Sequence, residues 1–333
     1  MNNSATVEKK PSAGKKILKS ILASDKLGLL IALAVIVIVF QILTKGTYIS
    51  VSNFRNILIS SAIVGMAMIG ETFLMITGGI DLSPGSVAAF SGVLVALLLT
   101  WGVPLPLAIL ITVLVGALGG YLNSLLINKL RFIPFIATLA AMSVFRGAAF
   151  IICDGKAVFV NNSAFLAIGS KRLLGIPVPA IIFLLFFLLF WVVLSRTRFG
   201  RNVYMVGGNE NASRLAGIDA AKVRTVLYMI SAALAALGGC LMAARMSSGQ
   251  PSACEGLEFD AVTAAVLGGV AMTGGVGTMG GALIGLMILQ GFNNGLMMMN
   301  VPSFWQTVSR GLLLIAALAF DYIRTQKKAK NAR

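Results

Sequence analysis

Two acidic side chains lie where the sequence is otherwise apolar. Glu71 stands well inside an apolar run, and Asp81 follows that run in the segment TGGIDLSPGSVAAFSG at residues 77–92. An ionisable group near hydrocarbon costs several kcal/mol unless it is capped, paired or hydrated. Glu71 has no helix start to cap, so we expect it to pair with a buried arginine such as Arg146 or Arg310, or to face a water-filled path.

Two interpretations hold for the residues around Asp81. Asp81 or Ser83 can accept backbone N–H bonds at the start of the following helix, with Pro84 in its first turn. The alternative is a direct contact with a substrate or a gating role. The sequence does not choose between the two.

Three asparagines place amide groups in or beside apolar segments. Such amides can hydrogen-bond a polyhydroxylated solute, or they can join neighbouring helices. With the acidic segment they make up the candidate residues of a translocation path or gate, which are Glu71, Asp81, Ser83, Asn123, Asn293 and Asn294.

Catalytic chemistry has little support in the sequence. The chain has no histidine, which removes the commonest general base and metal ligand. Its three cysteines lack metal-ligand spacing, and no P-loop motif for ATP occurs. The segment GVGTMG at 275–280 matches a dinucleotide fingerprint but lacks the preceding strand and the following acid. We therefore expect a non-enzyme with no catalytic residue, metal or cofactor of its own.

Composition indicates a membrane protein. The chain is 58% hydrophobic and 11% charged, with a mean hydropathy of +0.92, which excludes a soluble globular domain. The net charge of +16 is spread over short flanks between apolar runs. This pattern is a topology signal and not a nucleic-acid surface, so the expected surroundings are membrane lipids.

The apolar runs predict an all-α polytopic membrane protein with about ten transmembrane helices (eight to ten), some of them broken or re-entrant. The run at 260–273 is too short to cross a bilayer unaided. The ten runs are 27–43, 57–77, 85–101, 106–128, 133–152, 179–195, 224–246, 260–273, 279–298 and 303–321.

Charge fixes the expected orientation and domain limits. Nineteen of the 27 Lys/Arg fall in the segments that are inside if the amino terminus is inside. We expect a basic cytoplasmic tail at 1–26, a membrane domain at 27–322 and a second basic cytoplasmic tail at 323–333. Six runs then precede the polar island at 196–224 and four follow it.

That polar island is the longest interruption of the apolar pattern. It holds six Lys/Arg, two acids, three Asn and four Gly. Its second half reads as a short helix, opened by Gly207, Gly208 and Asn209 and closed by Gly217. Such a helix between two membrane runs is suited to being held by another protein.

Short sequence motifs recur elsewhere in the chain. Thr-Gly-Gly ends an apolar run at 77–79 and again at 273–275. The spacing of Gly277, Gly281 and Gly285 favours close helix packing. Both Thr-Gly-Gly copies fall on the same side of the membrane in this topology, so the match does not demonstrate an inverted repeat. The two longer outer loops, 153–177 and 247–259, are too short to form a receptor domain.

Three motifs together carry a family resemblance over residues 27–322. They are TGGIDLSPGSVAAFSG at 77–92, RTRFGRNVYMVGGNENASRLAGI at 196–218 and LGGVAMTGGVGTMGGALIG at 267–285. The chain resembles the permease subunit of bacterial ATP-binding-cassette importers for simple sugars, the ribose, xylose, arabinose and autoinducer-2 group. Pro84 stands where this family often has Val.

The resemblance implies the importer permease fold, in a bacterial cytoplasmic membrane. It implies a second copy of the permease, a cytoplasmic ATPase subunit that binds ATP and Mg, and an extracytoplasmic sugar-binding protein. The island is similar to the coupling helix that docks into the ATPase. The implied coupling residues are Gly207, Gly208, Asn209, Ala212, Arg214, Leu215 and Gly217.

Two other functional classes are compatible with a polytopic membrane chain. A secondary carrier would use Glu71 or Asp81 as a proton site and would work without ATP. A membrane-embedded enzyme would need paired acids or a nucleophile with a base at one membrane face, and the scattered acids do not supply them. The sequence therefore favours an importer permease.

Overall fold

The computed structural model describes residues 25–331 of the chain. The predicted basic tail at 1–26 lies almost entirely outside the described residues, and the tail at 323–333 is described only as far as the end of the last helix. Helices dominate the described part, and four two-residue strands accompany them.

The thirteen described helices and four strands run in the following order. They are α1 (Asp25–Leu43), α2 (Val51–Ile76), α3 (Pro84–Thr100), α4 (Leu105–Asn128), α5 (Pro134–Ile151), β1 (Val158–Phe159), α6 (Ser163–Ser170), β2 (Arg172–Leu173), β3 (Ile176–Pro177), α7 (Val178–Arg196), α8 (Arg198–Gly208), α9 (Glu210–Leu215), α10 (Ala220–Met246), β4 (Ser248–Gly249), α11 (Leu257–Leu267), α12 (Met279–Met298) and α13 (Ser303–Asn331).

Local sequence sets where several helices begin. Asp219 precedes α10, and its Oδ1 accepts the Lys222 N–H at 3.0 Å. Thr278 precedes α12, and its Oγ1 accepts the Gly281 N–H at 3.0 Å. Pro134 occupies the first turn of α5, where the missing N–H has no intrahelical partner to lose. Each of these residues ends the preceding loop and starts a helix.

Six of the thirteen described helices are long and apolar enough to cross a bilayer, namely α2, α4, α5, α7, α10 and α12. The apolar stretches in α1, α3 and α13 are shorter. Burial separates central helices from peripheral ones, because 83% of the apolar window of α2 and 67% of that of α10 is buried, against 17% in α5. α10 packs against α2, α3 and α4, so α2 and α10 form the centre of the bundle.

Two membrane segments are broken, as the sequence predicted for one of them. The run at 260–273 holds the eleven-residue helix α11, which ends at Leu267 and is followed by a loop at 268–278. The other break lies at 77–83, where an irregular loop precedes the seventeen-residue helix α3. Irregular backbone at membrane depth is tolerated only where protein or water covers it.

The segment at 247–256 does not stay outside the bundle as a loop. Gly249 lies against the backbone of Gly92 and Val93 on α3. Nine residues further along, Glu258 lies against Gly85 at the start of the same helix. The chain therefore descends along α3 from α10 before α11 begins, which corrects the expectation of an outer loop at 247–259.

A small layer covers the end of the bundle where α10 terminates. β1 pairs antiparallel with β4, with Val158 opposite Gly249 and Phe159 opposite Ser248. β2 and β3 form a hairpin. Between them, α6 anchors the layer through Phe165, which is 1% exposed. The predicted loop at 153–177 is thus a compact cap that ties the re-entering segment in place.

Candidate functional site

The polar island forms two helices. The sequence predicted only the second, α9, and its boundaries at Asn209 and Gly217 are confirmed. Gly207 and Gly208, which were expected to open this helix, are instead the last residues of α8. The Asn209 Oδ1 accepts the Ala212 N–H at 3.0 Å, and Gly217 ends the helix with φ of +79°. The first helix, α8, escaped prediction because its apolar side is narrow. Val203 and Val206 are buried on that side.

Four of the seven predicted docking residues are exposed on α9 or directly after it. Leu215 is 89% exposed, and Ala212, Arg214 and Gly217 are exposed beside it. An ion pair between Glu210 and Arg224, with an O–N distance of 2.6 Å, fastens α9 to the start of α10. An apolar side chain held out in this way suits a cleft on another protein.

The end of α8 meets two membrane loops at what we call the glycine junction, formed by residues 76–79, 207–208 and 274–277. The Gly275 N–H donates to the Ile76 carbonyl at 2.8 Å. Gly207 lies so close to that carbonyl that a Cβ would overlap it. The Tyr204 hydroxyl donates to the Gly277 carbonyl at 2.7 Å. One short helix therefore contacts the backbone of both loops.

Two further details support this geometry. Burial raises the pKa of the Tyr204 phenol, which keeps its hydroxyl protonated and able to donate. A Cβ on Gly274 would meet the backbone of both Gly78 and Gly207. The two Thr-Gly-Gly motifs thus lie against each other on one side of the bundle. The topology predicted from charge also put both motifs on the same side.

A second cluster surrounds Asp81. The Ser83 N–H and Oγ both donate to the Asp81 Oδ1, at 2.9 and 2.6 Å. The Ser231 Oγ donates to the Oδ2 at 3.2 Å. The Asp81 N–H donates to the Glu71 Oε1 at 3.3 Å, and the Asn123 amide donates to the Ser83 Oγ at 3.1 Å. Four of the six predicted path residues therefore share one network.

This network is buried, with exposures between 0% and 2%. It links α2, α4 and α10 to the loop before α3. Ser83 makes no capping bond to α3 through its side chain, and Asp81 orders the turn by accepting from Ser83. In this conformation the network fixes the loop at 77–83, and a contact of these residues with a substrate stays a prediction.

The predicted ion pairs of Glu71 are wrong. Arg310 pairs with Asp260, with an N–O distance of 3.7 Å. The Arg146 Nη1 donates to the Pro251 and Ala253 carbonyls, both at 2.7 Å. Neither arginine reaches Glu71, because both lie at a cavity on another side of α11.

The remaining predicted path residues, Asn293 and Asn294, lie on α12 apart from this network. The Oδ1 of each is buried and has no hydrogen-bond partner among the described residues. The neighbouring Gly291 carbonyl accepts a bond from the Tyr48 hydroxyl at 2.8 Å, so this part of α12 packs against the chain between α1 and α2.

A cavity with a volume of about 1210 Å³ lies in the described part of the chain. Its walls come from α5, from residues 252–263 and from α13. Arg146, Glu258, Asp260 and Arg310 line it together with Phe259. Charged side chains at membrane depth typically mark a water-filled or substrate-filled space.

Sequence reasoning missed Glu258 and Asp260. Glu258 precedes the apolar run at 260–273 and Asp260 is its first residue. Both read as the end of a loop, because the extended segment before them has no hydrophobic period. The available signal in the sequence was the position of these two acids at the start of the run at 260–273. An acid at the start of a run too short to cross a membrane indicates a broken segment with a polar start.

Several known proteins are similar in sequence to this chain over most of its length. Residues 53–318 match the family described as branched-chain amino acid transport system / permease component. The ribose import permease protein of Bacillus subtilis is 42% identical over 299 residues, which cover 89% of this chain and 92% of that protein.

Two Escherichia coli proteins are also similar. The D-allose transport system permease protein is 36% identical, with 94% of this chain and 96% of that protein covered. The L-arabinose transport system permease protein is 36% identical, with 92% and 93% covered. No solved structure matches the chain.

Proposed function

We propose a transport role from one premise: this chain belongs to the permease-component family of branched-chain amino acid transport systems. It is the transmembrane permease subunit of an ATP-binding-cassette importer and forms the translocation path for a simple sugar or related polyol. The sugar assignment is supported by relatives named for ribose, allose and arabinose, each aligned over about nine-tenths of the chain.

The structural observation that carries the mechanism is the glycine junction. α8 follows α7 after one extended residue, Thr197. It contacts both broken membrane loops through backbone atoms and leads into the exposed helix α9. When an ATPase subunit moves α9, the displacement reaches the loop before α3 and the loop after α11 together. Packed backbone transmits such a movement as a rigid body.

Three proposed partners perform the steps of transport that the permease subunit does not perform itself. A cytoplasmic ATPase subunit binds ATP and Mg, and α9 docks into it through Leu215 and Arg214. An extracytoplasmic binding protein delivers the sugar, and a second copy of the permease completes the membrane part. The membrane domain spans 27–322 in a bacterial cytoplasmic membrane, with both termini and the island on the cytoplasmic side.

Reconstitution tests this function. Proteoliposomes containing the permease, its ATPase and its binding protein should take up radiolabelled D-ribose, D-allose or L-arabinose only when ATP is present. A proton ionophore should leave the rate unchanged. Uptake that persists without ATP and collapses with the ionophore would instead support the secondary carrier.

A matched pair of variants tests docking. Leu215→Asp places a charge on the exposed face of α9 and should lower ATP-dependent uptake at least tenfold, with less ATPase retained when the permease is purified. Leu174→Asp makes the same change in the β2–β3 hairpin, where Leu174 is 95% exposed, and should leave both unchanged. Equal behaviour of the two variants would refute docking through α9.

A further inference from the structure

The cavity between α5, α11 and α13 has properties of a binding site. Glu258 is 5% exposed, and its Oε2 has no hydrogen-bond partner among the described residues. A buried carboxylate oxygen left without a donor is costly unless a bound group supplies one. The same side chain lines the cavity, so a group bound there can supply a donor to this carboxylate.

Gly85 explains how Glu258 reaches this position. A Cβ at Gly85 would overlap the Glu258 carboxylate, so the missing side chain lets that carboxylate lie against the first turn of α3. Glu258 itself stands in the first turn of α11. The starts of two broken membrane helices thus meet at the cavity wall, an arrangement typical of substrate sites in transporters.

The other walls supply complementary groups. Arg146 is held by Nη1 bonds to two carbonyls of the re-entering segment, and its other N–H groups make no hydrogen bond within the described part of the chain. Asp260 and Arg310 face each other at 3.7 Å. Phe259 is 48% exposed and lines the same space.

This set of side chains selects a chemical class. Acids and arginines both line the cavity, so it does not strongly favour a solute of either charge. Carboxylates accept bonds from hydroxyl groups, guanidinium groups donate to hydroxyl oxygens, and an aromatic face covers C–H groups. A neutral solute with several hydroxyl groups satisfies all three.

On this basis we propose that the cavity is the membrane binding site for the sugar in transit, with Glu258 and Arg146 as its hydroxyl-binding residues. The proposal rests on the transport function above and locates its substrate. It differs from the sequence prediction, because the buried network around Asp81 holds a loop while the cavity walls bind the solute.

Uptake by the reconstituted importer tests the site, with radiolabelled D-ribose, D-allose and L-arabinose as probes. Glu258→Gln keeps the size of the side chain but weakens its acceptor capacity, and it should lower uptake at least tenfold. ATP hydrolysis stimulated by the sugar-loaded binding protein should persist, because docking is intact. Asp154→Asn, an exposed acid outside the cavity, should behave as wild type.

A second pair of variants guards against a folding defect at Glu258. Ser143 is an exposed residue that lines the cavity from α5, and Ser143→Trp should block uptake by filling the space. Its neighbour Val144 is 69% exposed and does not line the cavity, so Val144→Trp should transport normally.

The outcomes separate the two proposals. Normal uptake by both Glu258→Gln and Ser143→Trp, with unchanged apparent affinity for sugar, would overturn the binding site while leaving the transport function intact. No uptake of any probe by the wild-type importer would overturn the transport function and the site together.

Discussion

Gly207 stands where three backbone segments leave no room for a side chain. The Ile76 carbonyl and the Gly275 N–H occupy the space that its Cβ would need. Backbone atoms at such a contact cannot move aside as a flexible side chain can. The identity of this residue therefore decides whether α8 can approach the two membrane loops.

Adding a single carbon atom at Gly207 tests the glycine junction. Gly207→Ala should force α8 away from Ile76 and lower ATP-dependent uptake at least tenfold, while ATP hydrolysis becomes less dependent on loaded binding protein. Gly28→Ala on α1 is the matched control, since nothing lies within 4 Å of the Cβ position there and this residue is not part of the junction. If both alanine variants transport like wild type, the junction does not transmit movement.

Individual acids show the limits of sequence reasoning at this scale. The segment around Asp81 identified residues that meet in space, because one motif carries Asp81 and Ser83 and membrane depth demands partners for the acids. The partners themselves could not be predicted. None of the three ion pairs found among the described residues includes Glu71 or Asp81. Two serine hydroxyls and one backbone N–H donate to Asp81, whereas a cation was expected beside Glu71.

At the level of elements, the broken segments are held by close contact between helices. Gly285 on α12 lies against the backbone of α11, where a Cβ would meet the Ala264 carbonyl. Gly281 makes the same kind of contact with Gly268. The glycine spacing thus indicated packing correctly for these two, whereas Gly277 lies in the loop before α12.

Gly285→Leu should destabilise the packing of α11 on α12. Overpacking at a close contact costs about 1–3 kcal/mol, so the purified permease should unfold at a lower temperature in detergent. Gly280→Leu introduces the same side chain where nothing lies within 4 Å and should keep or slightly raise that temperature. A Gly285→Leu variant as stable as wild type would contradict the close packing of these helices.

Run length and local capping chemistry predicted most elements. The apolar runs correspond to α1–α5, α7 and α10–α13, and Asn209 with Gly217 defined α9. Two features had no such signal. α8 offers only a narrow apolar side around Val203 and Val206, and the extended segment at 247–256 is buried by α3, which is remote in sequence. Contacts between distant segments carry no periodicity in the sequence.

The helices of the polar island lie at one end of the molecule, and the short strands lie at the other. α8 and α9 lie at the first end, beside the loops at 76–79 and 274–277. The β2–β3 hairpin and the β1–β4 pair lie where α10 ends, at Met246. These two ends should face opposite sides of the membrane.

Cysteine labelling checks that orientation. In a background with Cys153, Cys240 and Cys254 changed to Ser, Leu174→Cys should react with a membrane-impermeant maleimide on intact cells. Leu215→Cys should react only after the membrane is permeabilised. Both side chains are at least 89% exposed, so access to the reagent depends on the side of the membrane. Labelling of Leu215→Cys in intact cells would place the island outside and defeat the coupling proposal.

The glycine junction consists of backbone contacts between glycine-rich segments and one side-chain bond from Tyr204, whereas the wall of the cavity consists mostly of side chains on α5, in residues 252–263 and on α13. Substitutions in the cavity wall would therefore change which solute is transported without disturbing the movement that α8 and α9 transmit to the membrane loops. Evolution could retune such a permease to a new cargo by a few substitutions, and an engineer could do the same by transplanting the wall of one importer into another.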